Sequence, residues 1–179
     1  MLEDITGAEL KDQFKSNKKF KFVIGDIRDS VLCENLTKGI DAICHQAALG
    51  SVPRSIADPM TSHDVNVNGF LNILNAAKLN GVKRIVYASS SSVYGDLNES
   101  PKVESRVGKI LSPYAATKMT NELYAEAFAK AYGMTIVGLR YFNVFGPKQD
   151  PNGAYAAVVP LFIKAGLTNT PPTINGDGT

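Results

Sequence analysis

Four short apolar runs constrain the fold most. FKFVIGD (20–26), DAICHQAA (41–48), RIVYAS (84–89) and TIVGLR (135–140) each have strand length and end at a glycine or a polar loop. Helical patterns lie between them. DSVLCENLTKG (29–39) opens on the capping candidate Asp29 and closes at Gly39. Residues 60–80 read as one long helix stopped by Gly81, with Asn66, Phe70, Ile73 and Ala77 on one face. Ser112 can cap a further helix and Pro113 suits its first turn; it runs to about Tyr132 and ends at Gly133. A last helix is expected near residues 155–165. GSVPRSIADP (50–59) carries two prolines and several turn residues, so it reads as a loop, as does the long stretch 90–111. Alternating strand and helix is the pattern of an α/β protein, a parallel sheet with flanking helices.

Composition narrows the function classes. A chain of 179 residues is long enough for one domain with a core. Net charge is +2 with acids and bases interspersed, which argues against a nucleic-acid surface. The basic run KSNKKFK (15–21) reads as a solvated loop. No apolar run approaches membrane-spanning length and no leader pattern opens the sequence, so neither a membrane span nor a signal peptide is expected. Cys33 and Cys44 are not spaced as ligands, which suits a reduced, cytoplasmic chain. His45 and His63 lack a nearby ligand set, so no metal is expected.

In such a sheet, ligands sit at the carboxyl ends of the strands. Three polar or glycine-rich loops follow strands here: HQAALGS, SSSSVYGD and RYFNVFG. Tyr114 and Lys118 begin the helix after the second of them, and their i, i+4 spacing puts both on one face. A phenol of pKa ~10 is a poor base at neutral pH. A neighbouring ammonium stabilises the phenolate, and a serine hydroxyl can share the same substrate oxygen. Such a trio can take a proton from an alcohol while hydride leaves the same carbon for a nicotinamide ring. A Tyr-x-x-x-Lys pair alone is more often a solvated helix face. The serine-rich loop at the expected sheet end is what favours chemistry.

The sequence resembles the extended short-chain dehydrogenase/reductases, in their nucleotide-sugar epimerase branch. The matching stretches are GDIRD (25–29), HQAALGSVPRS (45–55), NVNGFLNIL (66–74), YASSSSVYGD (87–96), SPYAATK (112–118) and LRYFNVFGPKQDPNGAYAAVVP (139–160), in family order. The second and last are most similar to UDP-N-acetylhexosamine 4-epimerases. The resemblance implies a Rossmann-like domain, NAD as cofactor and a UDP-sugar as substrate. It makes Tyr114 the base, Lys118 its partner and a ribose contact, and Ser90 the catalytic serine. Asp26 and Ile27 would hold the adenine edge. The loop Gln46, Ala47, Ala48, Leu49 and Gly50 would line the cofactor, Phe142 would pack near the nicotinamide, and Asn66 would support the geometry. Ser91, Ser92 and Asn143 would touch the sugar nucleotide, with Ser51 and Arg54 as further contacts. It also implies a homodimer through helices 60–80 and 113–132, and a role in supplying polysaccharide or glycoconjugate precursors.

Each residue also has a plainer reading: Asp26 as a turn residue, Asn66 as an exposed helix residue, Phe142 as core, Asn143 as a loop cap, Arg54 as surface charge. The joint pattern outweighs these. Related dehydratases and decarboxylases carry an acid before VYG, where this chain has Ser90, Ser91 and Ser92, so plain epimerisation through a 4-keto sugar is expected. The family's G-x-x-G-x-x-G phosphate turn is absent from the sequence. Run 20–24 matches the family's third strand, so residues 1–179 are expected to form a partial NAD-binding domain, truncated at both ends, and inactive alone. The gap this leaves between 20–24 and 41–44 would either close up or let the first run drift. A non-catalytic remnant that binds a nucleotide-sugar or a partner chain is the alternative. Another dehydratase or reductase of the family is a third reading.

Overall fold

Three of the four expected strands pair. The computed structural model of the chain describes residue 14 and residues 16–146 and 158–174. Strands β1 (Ala42–His45), β2 (Arg84–Ser90) and β3 (Thr135–Tyr141) form a parallel sheet in the order β1-β2-β3. Ala42 pairs with Arg84, and Arg84 with Thr135, so the three strands start level. Their carboxyl ends therefore open on one side.

The helices are α1 (Ser30–Leu36), α2 (Val52–Ala57), α3 (Pro59–His63), α4 (Gly69–Leu79), α5 (Pro113–Tyr132) and α6 (Val158–Thr168). Phe70, Leu74 and Ala77 of α4 pack against Ile85 and Tyr87 of β2, with Val82, Ala125 and Met134 completing the core. Burying side chains such as Phe70 and Leu74 stabilises the fold by roughly 1.5–3 kcal/mol each. Ile73, expected on the same face, is only partly buried.

Two expectations are corrected. The run 20–26 forms no strand: it carries no ladder, and Ile24 is 86% exposed. A strand exists only through hydrogen bonds to a neighbour, and among the described residues β1 is bonded to β2 alone. Of the two outcomes considered for the gap, the run stands apart. The segment 50–59 is also not a loop, since it holds α2 and leads into α3. Its turn-forming residues act as helix starters. Ser51 Oγ accepts from Arg54 N at 3.3 Å and Asp58 Oδ1 from Thr61 N at 3.0 Å, with a proline in each first turn.

The long helix expected over 60–80 is continuous but changes pitch. A single π turn, Asp64–Asn68, joins α3 to α4. Such turns insert one extra residue and re-aim the side chains beside them. Gly95 closes the short 3-10 turn Ser91–Tyr94 at φ +57°, and an added Cβ there would collide with the Lys109 carbonyl. Gly95→Ala should cost about 2–4 kcal/mol in urea unfolding. An unchanged midpoint would contradict the close approach.

Candidate active site

The strand ends frame a cleft of about 570 Å³, walled by the loop after β1, the end of β2, the start of α5 and the residues after β3. The N-terminus of α5 is held by two serines. Ser112 Oγ accepts from Ala115 N at 3.1 Å, and Ser55 Oγ from Tyr114 N at 3.0 Å. These satisfy amides that a helix start leaves without partners. Tyr114 and Lys118 both face the cleft. Lys118 is 3% exposed; its Nζ donates to the Ala88 carbonyl at 2.8 Å and lies 5.9 Å from the Tyr114 ring centre. Burial pushes the Lys118 pKa down from its ordinary 10.5 to about 8. At neutral pH it is still mostly an ammonium, a charge that favours a phenolate over a phenol beside it.

That burial has a stability signature. Between about pH 8 and 10.5 the unfolded chain holds a proton on Lys118 that the folded chain has released. Folding stability from this group therefore rises with pH across that window, and the penalty is fully present below pH 8. Chemical unfolding of Lys118→Met should lack this rise; an identical pH dependence in both proteins would refute it. His45, buried at the end of β1 against the Phe70 ring at 5.3 Å, is pushed down to about 4 by desolvation and by the Lys118 charge, so it stays neutral.

Ser90 ends β2, and its Oγ accepts from Ser92 N at 3.2 Å. Behind it, Ser89 donates to Glu122 Oε1 at 2.6 Å. Glu122 takes a two-pronged bond from Arg140 at 2.9 and 2.8 Å, and Arg140 lies over the Tyr94 ring. This partly buried pair ties α5, β2 and β3 together directly behind the cleft. The loop after β1 is anchored differently. Asn66, in the π turn and 2% exposed, accepts from Leu49 N at 2.7 Å. It donates to Leu49 O at 2.9 Å and to Thr117 Oγ1 at 3.1 Å.

Of the residues singled out in the sequence, Ser90, Tyr114 and Lys118 meet in the cleft with Ser51, Ser91, Ser92, Phe142 and Asn143, and with Gln46, Ala48 and Gly50 of the loop. Ala47 and Leu49 belong to that loop but do not line the cleft. Asn66 stands behind it. Arg54 is off the lining, its backbone N–H bonded to Ser51 Oγ. Asp26 and Ile27 sit apart, on a turn packed against α4. The Asp26 carboxylate accepts from Arg28 N at 2.8 Å and from its guanidinium at 2.6 Å, which holds its pKa below the usual carboxylate value. Sequence reasoning missed Ser55, Thr117, Glu122 and Arg140. Thr117 stands inside the quoted SPYAATK, but nothing in the spacing ties Ser55 to Tyr114, 59 positions away. Residues 147–157 and the NGDG motif (175–178) lie outside the described residues.

A family model described as "NAD dependent epimerase/dehydratase family" matches residues 4–179. The chain belongs to that family. It is 37% identical over 182 residues to a UDP-glucose 4-epimerase from Mycolicibacterium smegmatis, covering 99% of this chain and 58% of the relative. Among solved structures it resembles a UDP-N-acetylglucosamine 4-epimerase from Methanobrevibacter ruminantium in complex with UDP-N-acetylmuramic acid. The TM-score is 0.82 at 44% identity, over 87% of this chain and 50% of that one. It also resembles a Thermus thermophilus UDP-glucose 4-epimerase complex with NAD, at TM-score 0.79 and 37% identity, over 88% and 51% of the two chains. The chain spans about half the length of the curated relatives it matches. Among the described residues, no helix is long and apolar enough to cross a membrane.

Proposed function

We propose that this chain carries the catalytic half of an NAD-dependent UDP-sugar 4-epimerase, of the UDP-N-acetylhexosamine type. One observation carries the reading: Ser90, Tyr114 and Lys118 converge on a cleft that no carboxylate lines among the described residues. Dehydration after oxidation needs a proton donor and acceptor beside the neighbouring carbons; epimerisation needs only a base at one hydroxyl. Ser92 Oγ, buried in the same cleft without a protein partner, supports a polar ligand there. The small serines also leave room for an N-acetyl group.

The donor set fits NAD. The Asp26 carboxylate and the Ile27 N–H suit the adenine edge, the loop 46–50 suits the body of the dinucleotide, and Lys118 the nicotinamide ribose. NAD, when bound, supplies reversible hydride transfer at its nicotinamide ring. Tyr114 takes the proton of the sugar 4-hydroxyl and later returns it. Lys118 keeps the phenolate charged state favourable, and Ser90 bonds the same oxygen. Asn143 and Ser91 hold the sugar nucleotide while the 4-keto sugar turns over, and Phe142 shields the reacting centre from water.

A chimera tests the substrate. This chain would replace the matching half of the M. ruminantium protein, and turnover of UDP-GlcNAc and UDP-glucose would be compared. Preference for UDP-GlcNAc is expected; a strong preference for UDP-glucose would reject the N-acetyl assignment. With no G-x-x-G-x-x-G turn in its sequence, the isolated chain should bind NAD+ only weakly and turn over no sugar. Micromolar NAD+ binding by calorimetry would overturn that expectation. The second reading is a non-catalytic remnant that binds a nucleotide-sugar or partner. The remnant reading predicts an inactive chimera. A homodimer through residues 60–80 and 113–132 is part of the proposal, supported by an apolar hollow of about 400 Å³ between Met60, Pro59 and His63 on one side and Pro113, Ala116 and Thr120 on the other. Light scattering would test it.

A further inference from the structure

We propose that Ser55 is a positioning residue for the reaction, fixing where Tyr114 presents its phenol; this rests on the base assigned to Tyr114 above. An α-helix leaves the N–H groups of its first turn without partners of its own. In α5 most of these are met from the residue that caps it. Pro113 has no N–H, Ser112 Oγ accepts from Ala115 N at 3.1 Å, and the Ser112 carbonyl accepts from Ala116 N at 3.0 Å. The amide that Ser112 does not reach is that of Tyr114 itself. It is met from another element, by Ser55 Oγ of α2 at 3.0 Å. The Ser55 proton is committed to the Val52 carbonyl at 2.8 Å, so the hydroxyl turns a lone pair toward Tyr114 N. Ser55 is 1% exposed, so this bond is shielded from water.

The other side of Tyr114 is held as well. Thr117 Oγ1 donates to the Tyr114 carbonyl at 2.7 Å, and Asn66 Nδ2 donates to Thr117 Oγ1 at 3.1 Å. The Tyr114 N–H lies in the peptide plane before its Cα, and the carbonyl in the plane after it. Each plane is rigid, so holding both sets φ and ψ of Tyr114 and with them the direction of its Cα–Cβ bond. The carbonyl also belongs to the ladder of the helix. The N–H does not, which makes Ser55 the point where the placement can be undone. The same bond refers the base to the facing wall of the cleft. Ser51, which lines the cleft, caps α2, and its carbonyl accepts from Ser55 N at 3.2 Å. Ser55 therefore sits one turn behind a cleft residue, and its bond to Tyr114 sets the spacing between that wall and the phenol. Proton transfer needs reacting atoms in near-attack geometry, and a misplacement of about 1 Å can cost about 100-fold.

Ser62 provides the control. It is 2% exposed on α3 and donates to the Asp58 carbonyl at 2.9 Å, as Ser55 does to Val52, but that bond stays within its own turn. The test has two arms. In the 179-residue chain, NMR-detected hydrogen exchange compares the amides of Tyr114 and Ala116. Ser55→Ala should speed exchange at Tyr114 by about tenfold relative to Ala116, the value of one hydrogen bond. Ser62→Ala should leave that ratio unchanged. In the chimera, Ser55→Ala should lower kcat by roughly 10–100-fold with KM within about threefold, whereas Ser62→Ala should keep kcat within about twofold. If Ser55→Ala does not fold, Ser55→Cys replaces it with the same expected results, since a thiol fills the place and accepts only weakly. Equal acceleration at Tyr114 and Ala116, wild-type kcat in a folded Ser55 variant, or an equal loss of kcat in Ser62→Ala would overturn the inference and leave the epimerase reading standing. An inactive wild-type chimera would overturn both.

Discussion

Tyr114→Phe should lower epimerase turnover in the chimera by about 10³-fold, within the range a positioned acid–base group supplies. The substitution removes one oxygen and leaves the ring, so the fold should be retained. The backbone of Tyr114 is held by Ser55, which the substitution does not touch. If Tyr114 is the base, substrate KM should stay within about threefold and the loss should fall on kcat, since proton removal belongs to the transition state. Lys118→Met should cost turnover too, and the rise in stability that Lys118 contributes across pH 8–10.5 should be lost with it. A Tyr114→Phe chimera that keeps more than a tenth of its activity would show that another group takes the proton.

Asn66→Ala should cost the folded chain about 3 kcal/mol, or a fall in Tm of roughly 6–12 °C for a chain of this size. The side chain is 2% exposed and satisfies both the N–H and the C=O of Leu49 as well as Thr117. Truncation leaves the half-buried N–H and C=O of Leu49 without this partner, while Thr117 Oγ1 keeps its bond to Tyr114 O, and an unmade hydrogen bond away from water costs more than a made one contributes. The loop 46–50 should also loosen, which hydrogen exchange at Leu49 would report directly. Asn66→Asp keeps the acceptor for Leu49 N but loses both donated bonds, so it should fall between wild type and alanine. A near-neutral Asn66→Ala would mean that the loop is held by its own turns and not by the helix.

Much of this was legible in the residues alone. Period and punctuation marked β1, β2 and β3, and Ser112, Pro113 and Gly133 bounded α5, because caps and breakers act within a few residues of themselves. Tyr114 and Lys118 could be placed on one face because helix geometry makes that a local fact. The parts that escaped are those where a partner decides. The apolar run 20–26 has strand composition, yet composition cannot supply the neighbour that a ladder requires. Pro53 and Pro59 look the same in sequence whether they break a helix or begin one; the capping bonds of Ser51 and Asp58 made them beginnings. The π turn that aims Asn66 at Leu49, the bond from Ser55 to Tyr114, and the Glu122–Arg140 pair behind Ser90 join residues 17 to 59 positions apart. Sequence alone determined which chemistry this chain can carry, since that depends on side-chain type and local spacing. Only the tertiary structure decided how those side chains are held, because each hold is a hydrogen bond or a contact between segments that meet only when the chain is folded.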